Sequence, residues 1–154
     1  MIRQEKNAKI VSINTSTKKG TRKKPIESAE VFAEHGISGD AHAASWHRQI
    51  SLLAKESIDK MVGRGLKVGP GDFAENLTTL GIDLLSLSVG TRLTIGTGIV
   101  LEITQIGKEC HTKCSIYRQA GDCVMPKEGV FAKVINGGII HTGDEITIGD
   151  KNEA

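Results

Sequence analysis

Apolar and polar residues alternate along this chain in short runs separated by glycine. AKIVSIN, Ala8 to Asn14, alternates and predicts a first strand. AEVFAE, Ala29 to Glu34, predicts a second, and the wholly apolar ISLLA, Ile50 to Ala54, has strand length. In KESIDKMV, Lys55 to Val62, the apolar residues Ile58, Met61 and Val62 fall at helical spacing, and Gly63 and Gly65 stop the helix. VGPGDFAENLTTLGIDL opens on a Gly-Pro-Gly turn and becomes strand-like from Asn76 to Leu80. The clearest strands are Thr91 to Ile95 and Ile99 to Gln105, joined as a hairpin through Thr-Gly. In the latter, Ile99, Leu101 and Ile103 share one face, with Val100, Glu102 and Thr104 on the other. GVFAKVI, Gly129 to Ile135, fits either a short helix or a strand. GGIIHTGDEITI, Gly137 to Ile148, predicts a final hairpin turning at Thr142 to Asp144. Many short strands with glycine turns and one or two helices predict a mainly β fold, a closed or partly closed barrel.

A chain of 154 residues suits one domain, and no repeat, linker or low-complexity segment divides it. Aromatic residues are 3% of the chain, so Ile, Leu, Val and Ala must build the core. Net charge is +2, too even a balance for a nucleic-acid binder. The basic residues gather locally: Lys18, Lys19, Arg22, Lys23 and Lys24 read as a solvated loop, with an anion contact as the alternative. No apolar stretch is long enough to span a bilayer, and MIRQEKNAKI lacks the apolar core of a signal peptide. A cytoplasmic, reducing setting is therefore expected. There an odd set of three cysteines does not favour a disulfide.

All three cysteines lie within 14 residues, in GKECHTKCSIYRQAGDC. Cys110, Cys114 and Cys123 could bind structural zinc with His111, though the spacing lacks the paired knuckles of closed zinc sites. Cys114 and Cys123 could instead be buried core thiols. Cys110 ends a long strand in a polar patch beside Lys108 and His111, neighbours that favour the nucleophilic, metal-binding thiolate. A second cluster, GDAHAASWHRQ, crowds Asp40, His42, His47 and Arg48 into one loop. It reads either as a turn with solvated side chains or as a loop that offers donors to an anion. In GDFAENL, Glu75 and Asn76 together could read the edge of a heterocycle. P-loop, dinucleotide and G-x-S-x-G patterns are absent from the sequence.

Four segments in order resemble the MOSC domain family, named for the C-terminal part of molybdenum cofactor sulfurases: GISGDAHA with WHRQISLL, PGDFAENLTTLGIDL, LEITQIGKECH and GVFAKVINGGIIHTGDEI. The likeness covers about residues 5–148 of one domain and is nearest to small stand-alone bacterial members. It implies a β-barrel with a few short helices, and a molybdenum cofactor as partner. By its place after the strand, Cys110 matches the family's cysteine, as molybdenum ligand or persulfide sulfur carrier, with Cys114 the second choice. Glu109 stands where many relatives carry proline. His42, Arg48, Glu75, Asn76, Lys108 and His111 are the candidates to bind the cofactor's phosphate and pterin. Pyridoxal phosphate is not expected, because no desulfurase region is present. The resemblance implies reduction of N-hydroxylated substrates with an electron-donor protein, or sulfur transfer from a sulfur donor. The alternatives are a carrier or chaperone that hands the cofactor to molybdoenzymes, and a zinc-stabilised interaction domain.

Overall fold

The computed structural model describes residues 8–18, 22–41, 43–65, 67–107 and 129–149. Among them are eleven strands: β1 (Lys9–Thr15), β2 (Lys24–Ile26), β3 (Ser28–Phe32), β4 (Gly36–Ile37), β5 (Ile50–Ala54), β6 (Leu77–Leu80), β7 (Arg92–Ile95), β8 (Ile99–Ile106), β9 (Val130–Asn136), β10 (Gly138–His141) and β11 (Ile146–Ile148). One α-helix, α1 (Lys55–Gly63), and a short 3₁₀ turn (Leu84–Ser86) complete them.

Eight strands form one sheet in the order β11-β7-β8-β9-β5-β6-β1-β2, and β10-β3-β4 form a second. Most neighbours are antiparallel, and β5 and β6 are parallel. A parallel pair needs a crossover, which α1 and the following loop supply. Residues 8–10 also hydrogen-bond to residues 143–146. Ile10 N donates to Asp144 O at 2.9 Å, Gly143 N to Ile10 O at 2.7 Å and Ile146 N to Ala8 O at 2.9 Å. These bonds bring the start of β1 to the chain entering β11 and curl the large sheet into a barrel-like form, as the sequence predicts.

The core is aliphatic. Ile10, Leu52, Leu77, Leu93, Leu101 and Ile103 are buried among it, and Val31, Ile37 and Ile140 of the small sheet join the same cluster. The alternation in β8 is realised: Ile99, Leu101 and Ile103 are buried and the residues between are half-buried. Central β5 is buried at every position, which is why its sequence shows no alternation. In α1, Ile58 and Met61 face inward, and the helix ends where Gly65 takes φ +94°.

Several boundaries differ from expectation. The expected second strand, Ala29 to Glu34, is β3, and an additional strand, β2, forms where the basic run is expected to be a loop, so that run passes directly into the sheet. GVFAKVI is a strand, paired with β5 and β8. The predicted final hairpin does not form as a pair: β10 pairs with β3, and β11 pairs with β7. The turn at Thr142 to Asp144 carries the chain from one sheet to the other.

Candidate functional site

Two polar clusters contain the described candidates. The first is built by the ENLT segment. Glu75 and Asn76 are both fully buried. Asn76 spans two strands: its Oδ1 accepts from Ser51 N at 2.9 Å and Ser51 Oγ at 3.2 Å, and its Nδ2 donates to Asn14 O at 3.2 Å. Asn14 in turn donates through Nδ2 to Glu75 O and to Thr78 Oγ1. Asn76 therefore knits β1 to β5 just before β6 begins. With both ends of its amide engaged and no exposed surface, it acts as a strut rather than as the reader of a heterocycle edge.

Glu75 Oε2 accepts from Gly71 N at 2.9 Å and Thr78 Oγ1 at 2.7 Å, while Oε1 is buried with no hydrogen-bond partner. Burial pushes its carboxyl up from the ordinary value of 4.5, against the Gly71 amide and Thr78 hydroxyl, which pull it down. The turn that carries it is tight. Gly71 takes φ +87°, a Cβ there would stand 2.2 Å from Lys23 O, and Ala74 is left-handed at φ +64°.

This turn also receives the basic run. Lys23 N donates to Gly71 O at 2.7 Å, and Lys23 Nζ donates to Asp40 Oδ1 at 2.8 Å and Ser16 Oγ at 3.1 Å. Both side chains of the Lys23–Asp40 pair are fully buried. The run is therefore not uniformly solvated: Lys18 and Lys24 are exposed, Arg22 pairs with Asp72, and Lys23 is internal. Asp40 likewise is internal, not a solvated turn residue.

The second cluster surrounds Arg48. Thr104 Oγ1 donates to His47 O, and Gln49 Oε1 accepts from Val134 N at 2.8 Å, so the residues on either side of Arg48 are tied to β8 through the His47 carbonyl and to β9 through the Gln49 side chain. The guanidinium lies 5.2 Å from the centre of the Phe131 ring, and Arg48 Nε donates to Gln105 Oε1 at 3.0 Å. His47 Nε2 shares that oxygen at 3.0 Å. Gln105 Nε2 donates to Gly107 O, and Gly107 N donates to Gly129 O at 2.6 Å. The chain on either side of residues 108–128 is thus joined at one point, beside Arg48. His42, Lys108, Cys110, His111, Cys114 and Cys123 lie outside the described residues.

A family model for the MOSC domain matches residues 39–147, well over half of the chain. The chain belongs to the MOSC domain family. Similar solved structures agree in fold. YuaD of Bacillus subtilis has a TM-score of 0.77 at 20% identity, covering 96% of this chain and 98% of its own. YiiM of Geobacillus stearothermophilus has a TM-score of 0.68 at 20% identity, covering 93% of this chain and 75% of its own. YiiM of Escherichia coli has a TM-score of 0.66 at 13% identity, covering 99% and 73%. Comparison with curated proteins finds no match.

Within this MOSC domain, the matched region begins at the GDAHA loop and contains Glu75, Asn76 and the Arg48 cluster, while Asn14 and Lys23 of the first cluster precede it. Gln105, Lys23, Asn14 and Ser51 are the residues whose roles sequence reasoning missed. For Gln105 a signal existed: it follows Ile99, Leu101 and Ile103 at the parity of the core face. A polar side chain there needs a partner. Lys23 offered none, because its partner is distant in the chain. Among the described residues, no three His, Cys, Asp or Glu side chains gather as a metal site, and no helix is long and apolar enough to cross a membrane.

Proposed function

We propose that this MOSC domain binds the molybdenum cofactor, with Cys110 as molybdenum ligand or persulfide carrier and Arg48 as an anchor for the cofactor's phosphate. The supporting observation is the setting of Arg48. Its Nε is occupied by Gln105 and its face by Phe131, and its two Nη groups have no partner among the described residues. That free edge suits a bidentate oxyanion. It stands beside the point where the cysteine-bearing segment joins the sheet. The described donor set therefore fits an anionic group, and a phosphate-bearing cofactor carries one.

When bound, the cofactor would supply a metal centre able to accept and release electrons or sulfur. The chain's own residues would orient it. Arg48 would hold the phosphate, and His42, Lys108 and His111 would offer further donors. Glu75 and Asn76 would serve by fixing the wall between β1, β5 and β6, since Asn76 is fully buried with both ends of its amide engaged in that wall. If the protein reduces an N-hydroxylated substrate, R–NHOH becomes R–NH₂ and water by taking up two electrons and two protons, the electrons coming from a donor protein. Cytoplasmic location fits that partner.

Molybdenum content tests this reading. Wild-type protein from a cofactor-replete host is expected to carry molybdenum with pterin, and Cys110→Ser to lose most of the metal with its melting temperature nearly unchanged. Zinc in place of molybdenum, released together with a large loss of stability in Cys110→Ser, would overturn it. Turnover of a hydroxylated amine with a chemical reductant would then separate an enzyme from a carrier.

A further inference from the structure

The Gln105 amide has one orientation. Its oxygen faces two N–H donors, Arg48 Nε and His47 Nε2, each at 3.0 Å, and its nitrogen faces the Gly107 carbonyl at 2.7 Å. Reversing the amide would set N–H against N–H at one end and oxygen against oxygen at the other. The same contact assigns His47 its proton on Nε2. Gln105 thus grips two cationic or donor side chains through one atom and the backbone through the other.

We propose that Gln105 is a positioning residue: it aims the Nη edge of Arg48, which has no partner among the described residues, with His47 alongside, as a clamp for a phosphate group. The identification of that phosphate with the cofactor rests on the function proposed above; the clamp itself does not. An unrestrained arginine spends conformational entropy when it binds an anion. Here that entropy is already spent. Phe131 limits the guanidinium plane, Gln105 fixes its rotation, and the bonds that Thr104 and Val134 donate to the His47 carbonyl and the Gln49 side chain hold the flanking residues. Gln105 is neutral, so it orients Arg48 without cancelling its charge. A carboxylate in the same place would grip Arg48 more strongly and repel the phosphate.

The probe is inorganic phosphate, titrated into full-length protein while the Arg48 Nε–H and His47 ring signals are followed by NMR. Wild type is expected to show saturable shifts at both residues. Gln105→Leu is expected to weaken the apparent Kd at least tenfold at temperatures where it is folded. Gln105→Glu is expected to weaken it at least as much while Arg48 Nε–H stays protected from exchange, and it tests the idea should Gln105→Leu not fold. An unshifted Arg48 in wild type would overturn the clamp. Equal affinity in wild type and both variants, whatever their melting temperatures, would leave Gln105 a structural residue and overturn the positioning role. The clamp is read by phosphate binding and the molybdenum reading by metal content, so failure of one is distinguishable from failure of the other.

Discussion

A carboxyl group enclosed on all sides must either find partners or keep its proton. Glu75 does part of each: Oε2 accepts two hydrogen bonds and Oε1 accepts none. The unfolded carboxyl titrates near 4.5, and burial sets the folded one higher. The native state therefore holds the proton more tightly than the unfolded chain. The stability this contributes is full below the unfolded value and falls as pH rises through the folded one. Glu75→Gln keeps an oxygen for Gly71 and Thr78 and has no proton to lose. The variant is thus expected to gain stability relative to wild type as pH rises above the unfolded value of 4.5, because only wild type must then ionise or strain. Urea unfolding across that range measures it, and parallel curves for the two proteins would refute a raised Glu75. Composition did mark Glu75 and Asn76 as a notable pair. Their burial was not legible, because it depends on strands β1 and β5, distant in the chain, closing over them.

At the scale of elements, the Lys23–Asp40 pair straps three segments together: the end of the basic run, the loop after β4 and the Gly71 turn. A charge run reads as solvent-facing by default, and Lys18, Arg22 and Lys24 are indeed exposed. Lys23 is the exception because its partner lies 17 residues on, a relation that only the folded chain creates. By contrast, β8 was legible to within a residue, since alternation between core and surface is a local property. GVFAKVI stayed ambiguous because a short, nearly continuous apolar run suits a buried strand and a buried helix alike. Lys23→Met would leave the buried Asp40 without its cation, although the Ser16 amide still donates to it, and is expected to cost about 3–5 kcal/mol. Adding Asp40→Leu is expected to restore part of the loss, with a coupling of about 1–3 kcal/mol in a double-mutant cycle. Strict additivity of the two single changes would mean that the pair does not hold the strap.

Across the whole molecule, the two sheets share one core, and the chain crosses between them at Gly137. The sequence pattern marked Gly137 to Ile148 as two strands but not their partners, so it looked like a hairpin when its halves, on either side of the Thr142–Asp144 turn, belong to different sheets. Gly137 allows the crossing because a Cβ there would sit 2.3 Å from the Val31 carbonyl oxygen. That neighbour is backbone and cannot turn aside. Beside it, Gly138 packs on Ile99 at the start of β8, while the Arg48 cluster sits at the other end of the same strand. Because Val31 and Ile140 lie in the same cluster as Leu101 and Ile103, displacing β3 from β10 should loosen the barrel as one unit. Gly137→Ala is expected to lower stability by about 2–3 kcal/mol, the cost of forcing an extra group into a closed contact. Trp46, the single tryptophan, stands against His47 at the far end and reports on that region by fluorescence. Its denaturation midpoint is expected to fall in step with the far-ultraviolet circular dichroism of the sheets. A Trp46 transition that stays at the wild-type midpoint while the dichroism shifts would show that the clamp end of the barrel folds independently of the sheet crossing.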